Sequence, residues 1–78
     1  MATLTVRNDL KHNLEIRAMM MHLTEKGLIA NSKFEKDGNS SGTWLADVRP
    51  CNIVFVGMEI ERYAAFRRIP RAFSVHCE

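Results

Sequence analysis

Residues 52–69 read NIVFVGMEIERYAAFRRI, and whether this stretch is strand, helix or both decides the fold. Its beginning favours a strand: Ile53, Val54, Phe55 and Val56 form an apolar, largely β-branched run of the kind that fills a central strand covered on both faces. Beyond Gly57 the pattern forks. Val54, Val56, Met58 and Ile60 alternate and would let the strand continue. Glu59 to Ile69, however, holds good helix formers, with Tyr63, Phe66 and Ile69 in one broad arc and two acids, Glu59 and Glu61, where a helix dipole favours negative charge. The preferred reading is a strand over 52–56 and then a helix over about 58–69, stopped before Pro70 because the residue preceding proline is pushed out of the α region.

The flanks supply the partners for that strand. Upstream, Ile29 to Lys36 and Thr43 to Arg49 read as a hairpin, joined by the polar turn Asp37-Gly38-Asn39-Ser40-Ser41-Gly42, with Trp44, Ala46 and Val48 on one face. Pro50 then breaks the ladder, having no N–H to donate. Downstream, Phe73, Val75 and Cys77 alternate in a last short strand. At the other end of the chain, residues 2–7 (ATLTVR) alternate with Leu4 and Val6 on one side. Asn8 or Asp9 can cap a helix running to about Lys26. Gly27 is placed to take the left-handed C′ conformation, with Leu28 as the apolar residue folding back on the last turn.

That first helix carries two apolar stripes. At 100° per residue, Leu10, Leu14, Ala18 and Met21 fall on one, and Ile16, Met20 and Leu23 on the other, with Arg17, Thr24 and Asn13 between them. Lys11, Glu15, His22 and Lys26 form the solvent face. One stripe suffices to dock a helix on a sheet. The reading assigns the first stripe to the core and leaves Ile16, Met20 and Leu23 for a second copy of the chain or a protein partner. The expected fold is a small α+β domain over 1–78, β-α-β-β-β-α-β, with an antiparallel-rich sheet and one long helix packed on it.

Seventy-eight residues make one domain, and 46% hydrophobic with 26% charged is the balance of a globular chain rather than a disordered one. No apolar run reaches the roughly 18–20 residues of a membrane span, so no membrane association is expected. The start MATLTVRNDL lacks the apolar core of a signal peptide, which points to the cytoplasm and to reduced Cys51 and Cys77.

The net charge is +2, unevenly placed. Residues 1–48 hold six basic and six acidic side chains. Residues 49–78 hold five arginines against Glu59, Glu61 and Glu78. Arg62, Arg67, Arg68 and Arg71 fall within ten residues that contain no acid, forming the one candidate electrostatic site. Arginine forks suit carboxylates and phosphates alike. The bland reading is a solvated face whose arginines pair with Glu59, Glu61 and acids of the first helix. Tyr63 and Phe66 between them could stack on bases, although helical spacing more often means core.

Other chemistries find less support. The hairpin tip resembles the wing of a winged-helix domain only loosely, since two further helices are wanting and Lys33 and Lys36 are offset by Glu35 and Asp37. Cys51, Cys77, His12, His22 and His76 lack the paired spacing of a zinc site. His22 or His76 with Glu59, Tyr63 and Arg67 has the side chains of a small metal-independent ribonuclease, but nothing in their spacing makes them converge. No phosphate loop or nucleophile elbow is present, and no cofactor or metal is expected. The function expected is therefore a non-enzymatic regulator or inhibitor that docks on a protein partner bearing an acidic patch, a homodimer through its first helix. Its size suits a phage or mobile-element product. Nucleic-acid binding through the Arg62–Arg71 segment and ribonuclease activity are the competing classes.

Overall fold

A computed structural model describes residues 1–69 and 73–78. Strand β1 (Ala2–Asp9) leads through a short 3₁₀ turn (Leu10–His12) into α1 (Asn13–Glu25). Strands β2 (Ala30–Asp37) and β3 (Ser41–Val48) form the expected hairpin. A second 3₁₀ turn (Pro50–Asn52) opens α2 (Ile53–Arg67), and β4 (Phe73–Cys77) closes the sheet. The strands are ordered β2-β3-β1-β4, every pair antiparallel. Both helices contribute to one core on the same side of the sheet. The order β-α-β-β-α-β on such a sheet is the split-βαβ, or ferredoxin-like, arrangement, a scaffold that carries no function by itself.

The chain is thus the α+β domain expected, with an antiparallel sheet, but it has one strand fewer. In place of one long helix and a shorter second one it has two of similar length, 13 and 15 residues. The strand expected over 52–56 is the entrance of α2. Pro50 sits at the first position of the 3₁₀ turn, where its fixed φ suits a helix start and its missing N–H costs nothing. Ile53, Val56, Ile60 and Ala64 then recur at helical spacing toward the core, whereas Val54 and Phe55 face solvent. The β-branched run described a half-buried surface, and a helix satisfies that as well as a strand does.

The first helix is reversed relative to expectation. Ile16, Met20 and Leu23, assigned to an outside partner, are fully buried inside this chain, together with Met19. Leu14 and Met21, assigned to the core, are 78% and 55% exposed. The physical reason lies before the helix. The turn at Leu10–His12 winds three residues per turn instead of 3.6, so Leu10 is not in phase with Leu14, Ala18 and Met21 and the first stripe loses its opening member. The apolar set 16, 19, 20, 23 is itself a complete i, i+3, i+4, i+7 stripe. Self-association through Ile16, Met20 and Leu23 loses its basis.

Much else follows the local rules. Gly27 has φ +73°, its N–H donates to the Thr24 carbonyl, and the Leu28 N–H reaches back to the Leu23 carbonyl, a complete Schellman stop. Along β1, Ala2, Leu4, Val6 and Asn8 point to the core. Trp44, Ala46 and Val48 do so along β3, as expected. On β2 only Phe34 is substantially covered; its ring lies over Gly42, where a Cβ would meet it at 2.2 Å, and stands 5.1 Å from the Trp44 ring. The turn cluster is held by Asp37, whose carboxylate accepts from the Thr43 hydroxyl at 2.7 Å.

Candidate interaction surface

The helical layer positions the chemically expressive side chains. Helices α1 and α2 run antiparallel, since Leu14 and Ala18 share a shallow groove with Tyr63 and Arg67, while His22 and Lys26 meet the earlier Glu59. In the seam, the Glu59 carboxylate lies 3.6 Å from His22 Nε2 and 3.6 Å from Lys26 Nζ, and its side chain is only 14% exposed. The His22 ring stands 4.9 Å from that of Tyr63, and the Arg67 guanidinium lies 5.6 Å from the Tyr63 centroid. His22, Glu59, Tyr63 and Arg67, which showed no convergence along the sequence, therefore do come together. His76 does not join them; it is on β4 beside Glu78.

What this cluster can do chemically is limited by its setting. Glu59 is held between the His22 imidazole and the Lys26 ammonium on the other helix, an arrangement that ties α1 to α2. The groove beside it is lined by Leu14, Glu15, Ala18, Tyr63, Arg67 and Ile69, without His22 or Glu59. A general acid or base needs a concavity that brings a reacting atom within hydrogen-bond reach.

The basic segment divides. Arg62, Arg67 and Arg68 are all exposed, and Arg71 lies outside the described residues. Among the described residues none of the three enters an ion pair, because Glu59 is engaged by His22 and Lys26 instead. The pairing expected of a merely solvated face is absent there. Arg67 also lies 5.7 Å from the Phe66 centroid, within cation–π range.

Arg68 occupies an unusual place. It is the left-handed residue closing α2, at φ +54°, with the buried Ile69 donating its N–H back to the Ala64 carbonyl. An L-residue with a Cβ is strained here by roughly 1 kcal/mol, and glycine is the usual occupant. Arg68→Gly is expected to raise stability by about 0.5–1 kcal/mol, read as a higher urea midpoint at unchanged slope. The arginine thus stands at a position where local backbone energetics favour another residue.

One surface feature on α2 was missed in the sequence. Val54, Phe55, Met58 and Phe66 on the outer side of α2 are 70%, 59%, 55% and 80% exposed. Reading 53–67 as a single helix would have found them. A wheel that puts Val56, Ile60, Tyr63 and Ala64 inward leaves these four outside. The other face of the sheet is different in kind. Thr3, Thr5 and Arg7 of β1, Thr43 and Leu45 of β3, and Ser74 and His76 of β4 line it by register, without a phenylalanine, tyrosine or tryptophan among them.

The two thiols are free; Cys51 is exposed, while burial pushes the Cys77 thiol up from its ordinary pKa, away from the reactive thiolate. Among the described residues no cluster of His, Cys, Asp and Glu is disposed to hold a metal ion, and no helix is long and apolar enough to cross a membrane. No protein-family model matches the chain, and a search of curated proteins finds no significant sequence similarity.

Proposed function

We propose that the chain is a non-enzymatic binding protein of the cytoplasm, a small regulator or inhibitor that acts by occupying a protein partner, and that it docks through the outer side of α2. The observation that carries this reading is the set Val54, Phe55, Met58 and Phe66, four large apolar side chains exposed on one helix. Scattered apolar residues are ordinary on a surface, but four large ones on one side of a single helix, interleaved with arginines, have the composition of an interface. Arg62, Arg67 and Arg68 stand beside them and select a partner with an acidic patch, since among the described residues none of the three enters an ion pair.

The test is retention of a partner from an extract of the source organism by the wild-type chain and by the double variant Phe55→Ser/Phe66→Ser, with and without nuclease. Both positions face solvent, so the variant should keep its stability within about 0.5 kcal/mol. A protein retained by the wild type, indifferent to nuclease and lost with the double variant is the expected result. Retention unaffected by the substitutions would remove α2 from the interface.

A second reading is nucleic-acid binding, favoured by Phe66 standing open between Arg62 and Arg67. Base stacking beside a cationic rim has that composition. Against it, the open sheet face offers no stacking platform of the kind a four-stranded RNA-binding sheet uses. Nuclease-sensitive retention would favour it, with affinity falling at a log–log slope of about −0.7 to −0.9 per phosphate contact.

A further inference from the structure

We infer that β4 is a self-pairing edge and that two copies of this chain join through it into one continuous sheet. This inference stands on β4 and its flanking groove, independently of the partner face on the outer side of α2.

The two edges of the sheet are built differently. The β2 edge carries Lys33, Glu35, Lys36 and Asp37, is irregular between Ala30 and Lys33, and holds Asn31 at φ +54°. Charges and bulges of this kind keep an edge from pairing with another chain. The edge strand β4 reads Phe73-Ser74-Val75-His76-Cys77, without a lysine, arginine, proline or carboxylate. It is an unprotected edge.

Its hydrogen-bonding direction follows from the ladder. Thr3 and Glu78 exchange both backbone bonds, at 2.7 and 3.2 Å. In an antiparallel pair such residues alternate with ones whose N–H and C=O point the opposite way. Ser74 and His76 therefore face β1, while Phe73, Val75 and Cys77 turn their backbone groups outward. These same three place their side chains on the helix side of the sheet, by register with Asn8, Val6 and Leu4.

A two-fold axis at Val75 sets Val75 against its own copy and Phe73 against Cys77 of the other chain. Every outward N–H and C=O of the three residues then finds a partner, and no two like charges face each other between the paired residues 73–77 of the two strands. On the helix side lies a groove of about 280 Å³ lined by Gly57, Ile60, Glu61, Ala64, Phe73 and Val75. A stable dimer needs roughly 800 Å² from each chain, about 15% of the 5177 Å² exposed here. A five-residue edge alone is too short to supply it. The flank of α2 that overlooks β4 supplies the rest: Gly57, Glu61 and Ala64 recur along it at four- and three-residue spacing, and the small Gly57 and Ala64 let a second helix layer come close.

Val75→Pro tests this directly. The Val75 N–H points away from β1, so proline removes an intermolecular donor and leaves the β1–β4 ladder intact. Light scattering and sedimentation at about 100 μM should give the wild type twice the 8.9 kDa of one chain and Val75→Pro a single chain with unchanged circular dichroism. The amides of Phe73, Val75 and Cys77 should exchange more slowly as the wild-type concentration rises. If Val75→Pro fails to fold, Val75→Lys is read in its place, a charge on the edge serving the same end. A wild type of 8.9 kDa at this concentration overturns the inference, and so does a dimer that either folded variant leaves intact. A wild type that stays a single chain but captures a strand of another protein on β4 also overturns it, assigning the edge to a foreign partner.

Discussion

Met20→Glu is expected to leave the chain unfolded at neutral pH, with the far-ultraviolet helical signal lost and the emission of Trp44, the only tryptophan, moved to that of a solvated indole. Met20 has no exposed surface and sits with Ile16, Met19 and Leu23 where α1 meets the sheet. An ionised carboxylate there has no water. Forcing its protonation instead trades an apolar thioether for an unpaired polar group. Together with the lost packing, the cost is about 4–5 kcal/mol or more. A chain of 78 residues has roughly 4–12 kcal/mol of stability in all, and small domains lie at the lower end. Leu14→Glu, two turns earlier on the opposite side, is expected to change stability by no more than about 0.5 kcal/mol, because Leu14 is 78% exposed. If Leu14→Glu unfolds the chain and Met20→Glu does not, α1 is rotated from the azimuth described.

The contrast between these two positions shows which parts of the fold were legible in the residues. Features set by a few neighbouring residues were readable. The Gly27–Leu28 stop needs only a residue without a Cβ and an apolar one after it. The alternation of Trp44, Ala46 and Val48 needs only a sheet with one covered face. Features set by phase were not. The two stripes of α1 look equal only while Leu10 is counted on one and Met19 is left off the other, and the 3₁₀ turn that removes Leu10 has residues, Leu-Lys-His, with no distinctive turn signal. The run Ile53–Val56 was illegible for a related reason: its apolarity records burial without recording period, and Pro50 reads either as a strand breaker or as the first residue of a helix.

The candidate surface follows the same division. The excess of arginine in residues 62–68 was visible as charge, whereas its lack of neutralisation depended on His22 and Lys26 reaching Glu59 from another helix. Convergence of His22, Glu59 and Tyr63 is a property of antiparallel helices packed side by side, and spacing along one chain does not encode it. The exposed apolar set on α2 was hidden because Val54 and Phe55 read as a buried strand and Phe66 as part of one arc with Tyr63 and Ile69.

Trp44→Ala carries the second large effect, about 3–5 kcal/mol, the cost of emptying a buried aromatic site. By register Trp44 stands between Val6 of β1 and Phe34 of β2, and its indole N–H donates to the Asn13 side-chain oxygen at 2.9 Å, at the first residue of α1. One side chain thus fastens an edge strand and a helix start to the centre of the sheet. Strand β2 has little else to hold it, since Phe34 is its one substantially covered residue. Backbone amides of β2 should therefore lose protection from hydrogen exchange well before those of β1 and β3. Trp44→Phe separates the two roles. It keeps a ring against Phe34 and forfeits the bond to Asn13, for about 1–2 kcal/mol, with β2 still protected. Equal protection of β2 in Trp44→Ala and the wild type would show that the edge strand is anchored elsewhere. Because α2 rests on Val56 and Ile60 rather than on Trp44, partner retention that depends on Phe66 should survive Trp44→Phe. Loss of retention there would place the docking face nearer Leu14 and the start of α1.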